Sequence, residues 1–300
     1  MSNPKRHHFV PKWHLERFVN NDGFLYVYDK TTGLWRRQKP QQIMTINRYY
    51  KQEWAPEGVD QDILEKSMGS KLEPEAKNAF DRLLARATDI NDEESAAILI
   101  YLEFQRIRVP RQAKTAKELL RTTILLNSPS DVAESVLSGK VLLSIKDSFR
   151  FDFMRMVLGQ MHPYFARMDW EVIESAEGAS FIITDSPVTF YNVDFLPPTE
   201  AGIALAGTVV FFPLSSSRLL VLRHPEYTSD GKAYASHKIP KPELGDGRIK
   251  VTFDRVWEDE QVNRTNWLMM QLSDRYIAGC SKEVLENCIG KQLNGHRQDA

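Results

Sequence analysis

Trp170-Glu171-Val172-Ile173-Glu174-Ser175-Ala176-Glu177-Gly178-Ala179-Ser180-Phe181-Ile182-Ile183-Thr184-Asp185-Ser186-Pro187 is the stretch where helical periodicity gives way to β character. Trp170 to Ser175 and Phe181 to Thr184 are rich in β-branched and aromatic residues, and Ala176-Glu177-Gly178 between them has turn composition, so a hairpin is expected. Val209 to Phe212 and Leu219 to Leu222 read as two further strands, joined by Pro213 to Arg218, a loop by composition.

Upstream of this stretch the apolar spacing is helical. Ile63, Leu64 and Met68, then Ala76, Phe80, Leu83, Leu84 and Ala87, follow the 3.6-residue period past Pro74, which suits a first-turn position. Asn91 with Glu94 forms a capping box, after which Ala97, Ile100, Tyr101, Phe104 and Ile107 trace one face as far as Pro110. Helices are also expected over residues 112–126, 130–137 and 146–160. Nearer the start, a short helix over 11–18 precedes a hairpin, with strands Phe24–Tyr28 and Leu34–Gln38 about the turn Asp29-Lys30-Thr31-Thr32-Gly33. Residues from Pro40 to Gly58 read as irregular. Residues 226–247 read as a surface excursion, Asp254 to Ala278 as a long helix, Ser281 as the start of a short one, and the tail after Gly290 as frayed. The fold class is therefore α+β: an N-terminal hairpin and C-terminal antiparallel strands packed with a central helical layer. The regions divide as 1–57 (basic and aromatic hairpin), 58–165 (helical), 166–253 (β-rich) and 254–290 (C-terminal helices), within one domain spanning 1–300.

A hydrophobic fraction of 42% against 26% charged residues supports a packed core and excludes a disordered chain. The opening MSNPKRHH lacks the apolar stretch of a secretory signal, and no run approaches the roughly 20 apolar residues that span a bilayer, so a cytoplasmic protein without membrane contact is expected. Cys280 and Cys288 have no metal or redox spacing and read as reduced thiols. Phosphate-loop, dinucleotide, serine-hydrolase elbow and His-Glu-x-x-His motifs are absent from the sequence.

The net charge of −1 conceals an asymmetry: residues 1–50 carry nine Lys or Arg against three acids, +6, and leave −7 for the remainder. Nine aromatic residues are interleaved with them. Such a mixture suits an anionic partner that stacks, such as single-stranded nucleic acid or a nucleotide, with Lys12, Arg17, Arg36 and Arg37 as candidate binding residues. It equally describes a basic face that packs on the acidic remainder of the same molecule.

Three histidines lie within eight residues in His7-His8-Phe9-Val10-Pro11-Lys12-Trp13-His14, and imidazoles ligate metals or move protons near neutrality. The string superficially resembles the start of an HNH nuclease motif, yet no histidine follows His14 until His162, so that assignment fails. Asp185-Ser186-Pro187 sets a carboxylate at the end of an apolar strand, a way to present a catalytic or metal-binding group and also a way to cap a turn. Arg106, Arg108 and Arg111 cluster at a helix end, where cations favour the dipole and where guanidinium groups also fork onto phosphate. Asn263 and Asn266 are neighbours at i,i+3 near Asp274 and Arg275.

His8-Phe9-Val10-Pro11 with Leu15 and Phe18, Tyr28-Asp29-Lys30, Arg108-Val109-Pro110-Arg111, Ile183-Thr184-Asp185-Ser186-Pro187 and Phe212-Pro213-Leu214-Ser215 together resemble the bacterial domain of unknown function family numbered 4238. The resemblance spans nearly the whole chain and implies a site pattern without a reaction. His14 stands where the family often carries an aromatic residue, which argues against an essential ligand role. Three functions fit. The first is a hydrolase acting on a phosphate-containing or nucleic-acid substrate, with His8 and His7 as base or ligand, Asp185 as base partner or metal ligand, and Arg108, Arg111, Ser186 and Asn263 as binding residues. Its cofactor is undetermined, a divalent metal being one candidate. The second is a non-catalytic module for nucleic acid or nucleotides, and the third a protein-interaction or defence-related adaptor. With the roles assigned in this way, the first requires His8 and Asp185 to converge in one pocket.

Overall fold

The computed structural model describes residues 6–52, 57–58, 60–227, 233–243 and 249–295. β1 (Arg6–His8) leads into α1 (Lys12–Leu15), which a 3-10 turn extends to Phe18. β2 (Leu25–Asp29) and β3 (Leu34–Gln38) then form the expected hairpin, paired from Leu25↔Gln38 to Asp29↔Leu34. Gly33 closes its turn at φ +70, a conformation that favours glycine, and Tyr28 meets Trp35 across the pair at 4.9 Å. The segment expected to be irregular contains β4 (Thr45–Asn47), which pairs antiparallel with β1. Three-residue strands lie below the length at which alternation is readable.

The helical layer follows the sequence pattern closely. α2 (Ile63–Ser67) continues through a π-helical turn at Met68–Leu72 into α3 (Glu73–Leu84), whose second residue is Pro74. α4 (Asp92–Ile107) begins at the Asn91–Glu94 capping box, both bonds being formed (2.9 and 3.0 Å). Of its expected apolar face only Ile100 is exposed. Pro110 opens α5 (Pro110–Leu126), and α6 (Ser130–Leu137), α7 (Phe149–Val157) and α8 (His162–Arg167) complete the layer.

The hairpin expected at 170–184 does not form. β5 (Asp169–Ser175) pairs with β9 (Arg218–Arg223) in one sheet, whereas β6 (Ile183–Thr184) pairs with β11 (Tyr276–Gly279) in another. Residues 176–182 cross between the sheets, and their amides find partners elsewhere: Phe181 donates to Ser216 O (2.7 Å) and Ile182 to Asn266 Oδ1 (3.1 Å). Asn266, fully buried, also donates to Ser180 O (2.8 Å), so one side chain stands in for the ladder this segment lacks. β7 (Thr189–Tyr191), β8 (Val209–Ser215), β9, β5 and β10 (Val251–Trp257) make a five-stranded sheet in the order β10-β5-β9-β8-β7. β8 runs three residues into the expected loop, through Pro213, Leu214 and Ser215.

The long C-terminal helix is likewise divided. Val251, Phe253 and Trp257 are the buried positions of β10, which lies parallel to β5 and makes the sheet mixed. α9 (Asp259–Gln271) starts at Glu258, whose amide bonds Gln261, and β11 separates it from α10 (Lys282–Gly295). β11 occupies the middle of a four-stranded sheet, β3-β2-β11-β6. α10 continues past Gly290, and residues 296–300 lie outside the described residues. So does part of the surface excursion, at 228–232 and 244–248; its described part returns to the fold through Leu205↔Lys238 and Gly207 N to Ala235 O (2.9 Å). No helix among the described residues is long and apolar enough to cross a membrane.

Helices α3, α4 and α8 pack on one face of the five-stranded sheet about Phe80, Tyr101, Phe165, Trp170 and Phe212. α9 and α10 fill the space between its other face and the four-stranded sheet about Phe181, Leu219, Met269 and Leu285. A third cluster, Phe9, Val10, Leu15, Phe18, Phe104 and Met154 among its members, binds the N-terminal segment to α4 and α7.

Asp185 fixes the turn between α9 and β11. Its Oδ1 accepts the amide of Asp274 (2.9 Å) and its Oδ2 those of Arg275 (2.6 Å) and Tyr276 (2.7 Å), while its own amide donates to Tyr276 O (3.0 Å). Burial pushes the carboxyl above the usual aspartate range, and the three amides oppose that rise. Lys30 closes the same turn from the hairpin side, donating to Met270 O (2.6 Å) and Ser273 O (2.8 Å). Asp185→Asn turns an acceptor into a donor facing amide donors. It should lower stability by about 2–4 kcal/mol, as expected for a disrupted buried polar network. Urea unfolding measures this as a lower midpoint at unchanged slope; a variant as stable as the parent would remove this role.

Candidate functional site

The helix that runs from α2 into α3 carries Glu65 and Glu73, eight residues apart. In an unbroken α-helix such a pair diverges by about 80° around the axis. The π turn at Met68–Leu72 falls between them, and the one extra residue such a turn accommodates rotates the second carboxylate back by about 100°, so that both face nearly the same way. They face the end of α4. There Arg108, 1% exposed, donates from Nη1 to Glu73 Oε1 (2.8 Å) and from Nε to Gln105 Oε1 (2.8 Å), with Met68 Sδ 3.6 Å from Nη1. The rings of Phe104 and Tyr101 flank its guanidinium at 5.4 and 6.0 Å. Its Nη2 has no hydrogen-bond partner among the described residues.

Gln105 binds this group to the N-terminal segment. It accepts from Arg108 and from Tyr101 Oη (3.3 Å) and donates through Nε2 to Phe9 O (2.9 Å). β1 thereby brings in two imidazoles. His7 Nδ1 accepts the amide of Tyr50 (3.0 Å), the two rings lie stacked at 5.8 Å, and Glu65 Oε2 is 3.9 Å from the same nitrogen. Accepting at Nδ1 places the proton of neutral His7 on Nε2. His8 Nε2 lies 3.3 Å from Pro40 O, an acceptor only, which leaves Nδ1 of the neutral ring as the basic nitrogen.

These surroundings shift both titrating groups. Burial, then the neighbouring charge of Glu73, raises Glu65 from 4.5 to about 7, Arg108 opposing the rise. Burial lowers His8 from its ordinary 6.5, with Arg6 and Arg108 adding to the effect and Pro40 O and Glu73 opposing it. Glu65 and Glu73 retain 28% and 21% side-chain exposure, so the cluster reaches solvent above a buried guanidinium. Arg6 is exposed on β1 beside His8, and Arg48, exposed at φ +50, follows the paired strand β4 directly. Among the described residues no three His, Cys, Asp or Glu side chains are grouped to hold a metal ion.

Of the residues singled out in the sequence, His7 reaches Glu65, and His8 is near enough to Arg108 and Glu73 to feel their charges. Asp185 does not join them through any of its hydrogen bonds, since its carboxylate is engaged by the 274–276 turn. Ser186 donates its amide to Thr184 Oγ1 (3.1 Å) and shapes the same turn. Arg111 belongs there too, donating to Ser273 O (3.0 Å) and Pro198 O (2.8 Å), and Arg106 forks onto Glu200 (2.9 and 2.7 Å). Asn263 bonds Asp259 one turn back (2.7 Å). His14 is fully buried against Phe212, holds Pro213 O at 2.6 Å, and is lowered by burial to about 3, so it stays neutral and ties the opening motif to Phe212-Pro213-Leu214-Ser215.

The four cations proposed as a patch are mostly committed within the chain. Lys12 pairs with Glu16 (3.2 Å), Arg17 with Asp81 (2.5 Å) beneath Trp13, and Arg37 with Asp22 (2.5 Å) over Phe24; Arg36 is exposed on β3. Phe9, Phe18, Tyr49 and Tyr50, four of the nine aromatics, are core residues. The basic and aromatic segment therefore packs largely on acids and apolar surface of its own molecule.

Glu65, Glu73 and Gln105 were not singled out by the sequence, because a glutamate on an amphipathic helix reads as a solvated face. Only Gly69-Ser70, weaker helix-forming residues between them, hints at the π turn that realigns them. No curated protein and no solved structure is detectably similar to the chain. Matching it over residues 6–283 of 300, the chain belongs to the family described as protein of unknown function (DUF4238).

Proposed function

We propose that the chain is a hydrolase of phosphate esters whose reacting groups are gathered about Arg108. The observation that carries this reading is a buried guanidinium with an unpartnered Nη2, set among a glutamate that titrates at about 7 and an imidazole lowered by burial. Acid and base of this kind, both active near neutrality, are what ester hydrolysis needs. Arg108 and the exposed Arg6 hold the phosphate oxygens. Neutral His8 accepts through Nδ1 a proton from water as the water oxygen attacks phosphorus. The bond from phosphorus to the ester oxygen breaks, and protonated Glu65 donates its proton to the departing oxygen. His8 then returns its proton through solvent to Glu65, which restores both groups. Glu73 keeps Arg108 in place, and His7 with Tyr50 orders the β1 backbone that presents His8.

Two outcomes test the reading. Hydrolysis of p-nitrophenyl phosphate or bis(p-nitrophenyl) phosphate should follow a bell in pH, rising as His8 loses its proton below the usual histidine range and falling as Glu65 ionises near 7. Glu65→Gln and His8→Ala should each lower kcat/KM by about 100-fold or more, with no loss of melting temperature in either variant. Absence of turnover of both esters, with and without Mg²⁺ or Mn²⁺, ends the proposal.

The second outcome is independent of substrate. Glu65 is raised on folding, so its favourable contribution is complete below pH 4.5 and is lost as pH rises through about 7. Glu65→Gln, which cannot ionise, should therefore gain melting temperature relative to the parent between pH 5 and pH 8. Parallel curves for the two proteins across that range would mean that Glu65 titrates as an ordinary exposed carboxylate.

A further inference from the structure

A separate concavity lies between α9 and the five-stranded sheet, on the face opposite α3 and α4. Its volume is about 410 Å³, within the range of roughly 300–1,000 Å³ that small-molecule sites occupy. Tyr191 of β7 and Phe211 of β8 form an apolar wall, their rings 6.4 Å apart and 20° from parallel, and Trp257 of β10 adds a third ring. Arg255 of β10 and Arg264 of α9 supply two guanidinium groups, and Thr265 a hydroxyl.

Neither cation is fully used by the fold. Arg264 is exposed and has no hydrogen bond or ion pair among the described residues. Arg255, 57% exposed, touches Glu171 Oε2 at 3.3 Å, but that oxygen is held closer by Arg223 at 2.7 Å. The first turn of α9 carries Asp259 and Glu260, which repel an anion from the helix start and leave the two arginines as its seat. Apolar rings beside a pair of under-used guanidinium groups match a flat aromatic body that bears a phosphate.

We infer that this cleft binds an aromatic phosphate ligand, of which a nucleoside monophosphate is the simplest form. The ring lies against Tyr191 and Trp257, and the phosphate bridges Arg255 and Arg264 with Thr265 donating its hydroxyl. The inference is independent of the Arg108 cluster, whose residues do not line this cleft.

Isothermal titration of the full chain with adenosine 5′-monophosphate, adenosine and ribose 5-phosphate tests it. The intact nucleotide should bind at least about tenfold more tightly than either fragment, since each fragment lacks one half of the recognition. Arg264→Ala, at an exposed position that leaves the fold intact, should weaken the nucleotide about tenfold, and Arg255→Ala should do so as well. Binding of the nucleotide no tighter than ribose 5-phosphate, no saturable heat at millimolar ligand, or an Arg264→Ala isotherm identical to the parent would each overturn the assignment.

Discussion

A guanidinium removed from water must find its partners within the protein, and Arg108 imposes that demand at the junction of three segments. An uncompensated buried charge costs several kcal/mol, so the residues around it cannot be placed independently. Glu73 and Met68 come from the helix before it, Gln105 and two aromatic rings from its own helix, and Phe9 O is held by the same Gln105. Satisfying one charge thus draws the N-terminal strand, the π turn and the end of α4 to a single point. The histidines of β1 arrive as passengers of that arrangement.

The same economy appears in the turn before β11. Asp185 and Lys30 each serve backbone groups that no ladder reaches, the carboxylate taking three amides and the ammonium two carbonyls. Asn266 does the same for the crossover between sheets. Other buried polar side chains keep atoms without a hydrogen bond, among them Arg17 Nη1 and two nitrogens of Arg150, but Arg108 is the one that does so beside a glutamate raised by burial.

Much of the fold was legible in the sequence because its signals are local. The N-terminal hairpin, the capping box at Asn91 and the proline-opened α3 and α5 each depend on a few neighbouring residues. What was misread depends on distant partners. Phe181 to Thr184 has β composition and forms a strand end, yet its neighbour is β11, about 95 residues away, and a turn-like Ala176-Glu177-Gly178 gives no hint of that. Residues 254–278 look continuous by period because α9 in their middle is amphipathic, while Tyr276–Gly279 is too short to interrupt the pattern visibly. At the site, His7, His8 and Arg108 were readable as chemistry-bearing types. Glu65 was not, since its raised pKa comes from burial and from Glu73, and only the π turn sets those two side by side.

β11 has a consequence for synthesis on the ribosome. The N-terminal hairpin emerges first, but the strand that covers the inner edge of β2 lies about 250 residues later in the chain. At about 5–20 residues per second that interval lasts roughly 10–50 s, during which β2 presents an unpaired edge and buried-type residues such as Leu25 and Val27 to solvent or to a chaperone. The exposed edge strand of the hairpin's other side, β3, carries Arg36, Arg37 and Gln38, charges and amides that discourage pairing with a neighbouring nascent chain. Arg36 and Arg37 on β3 thus guard a sheet that has to wait for its central strand.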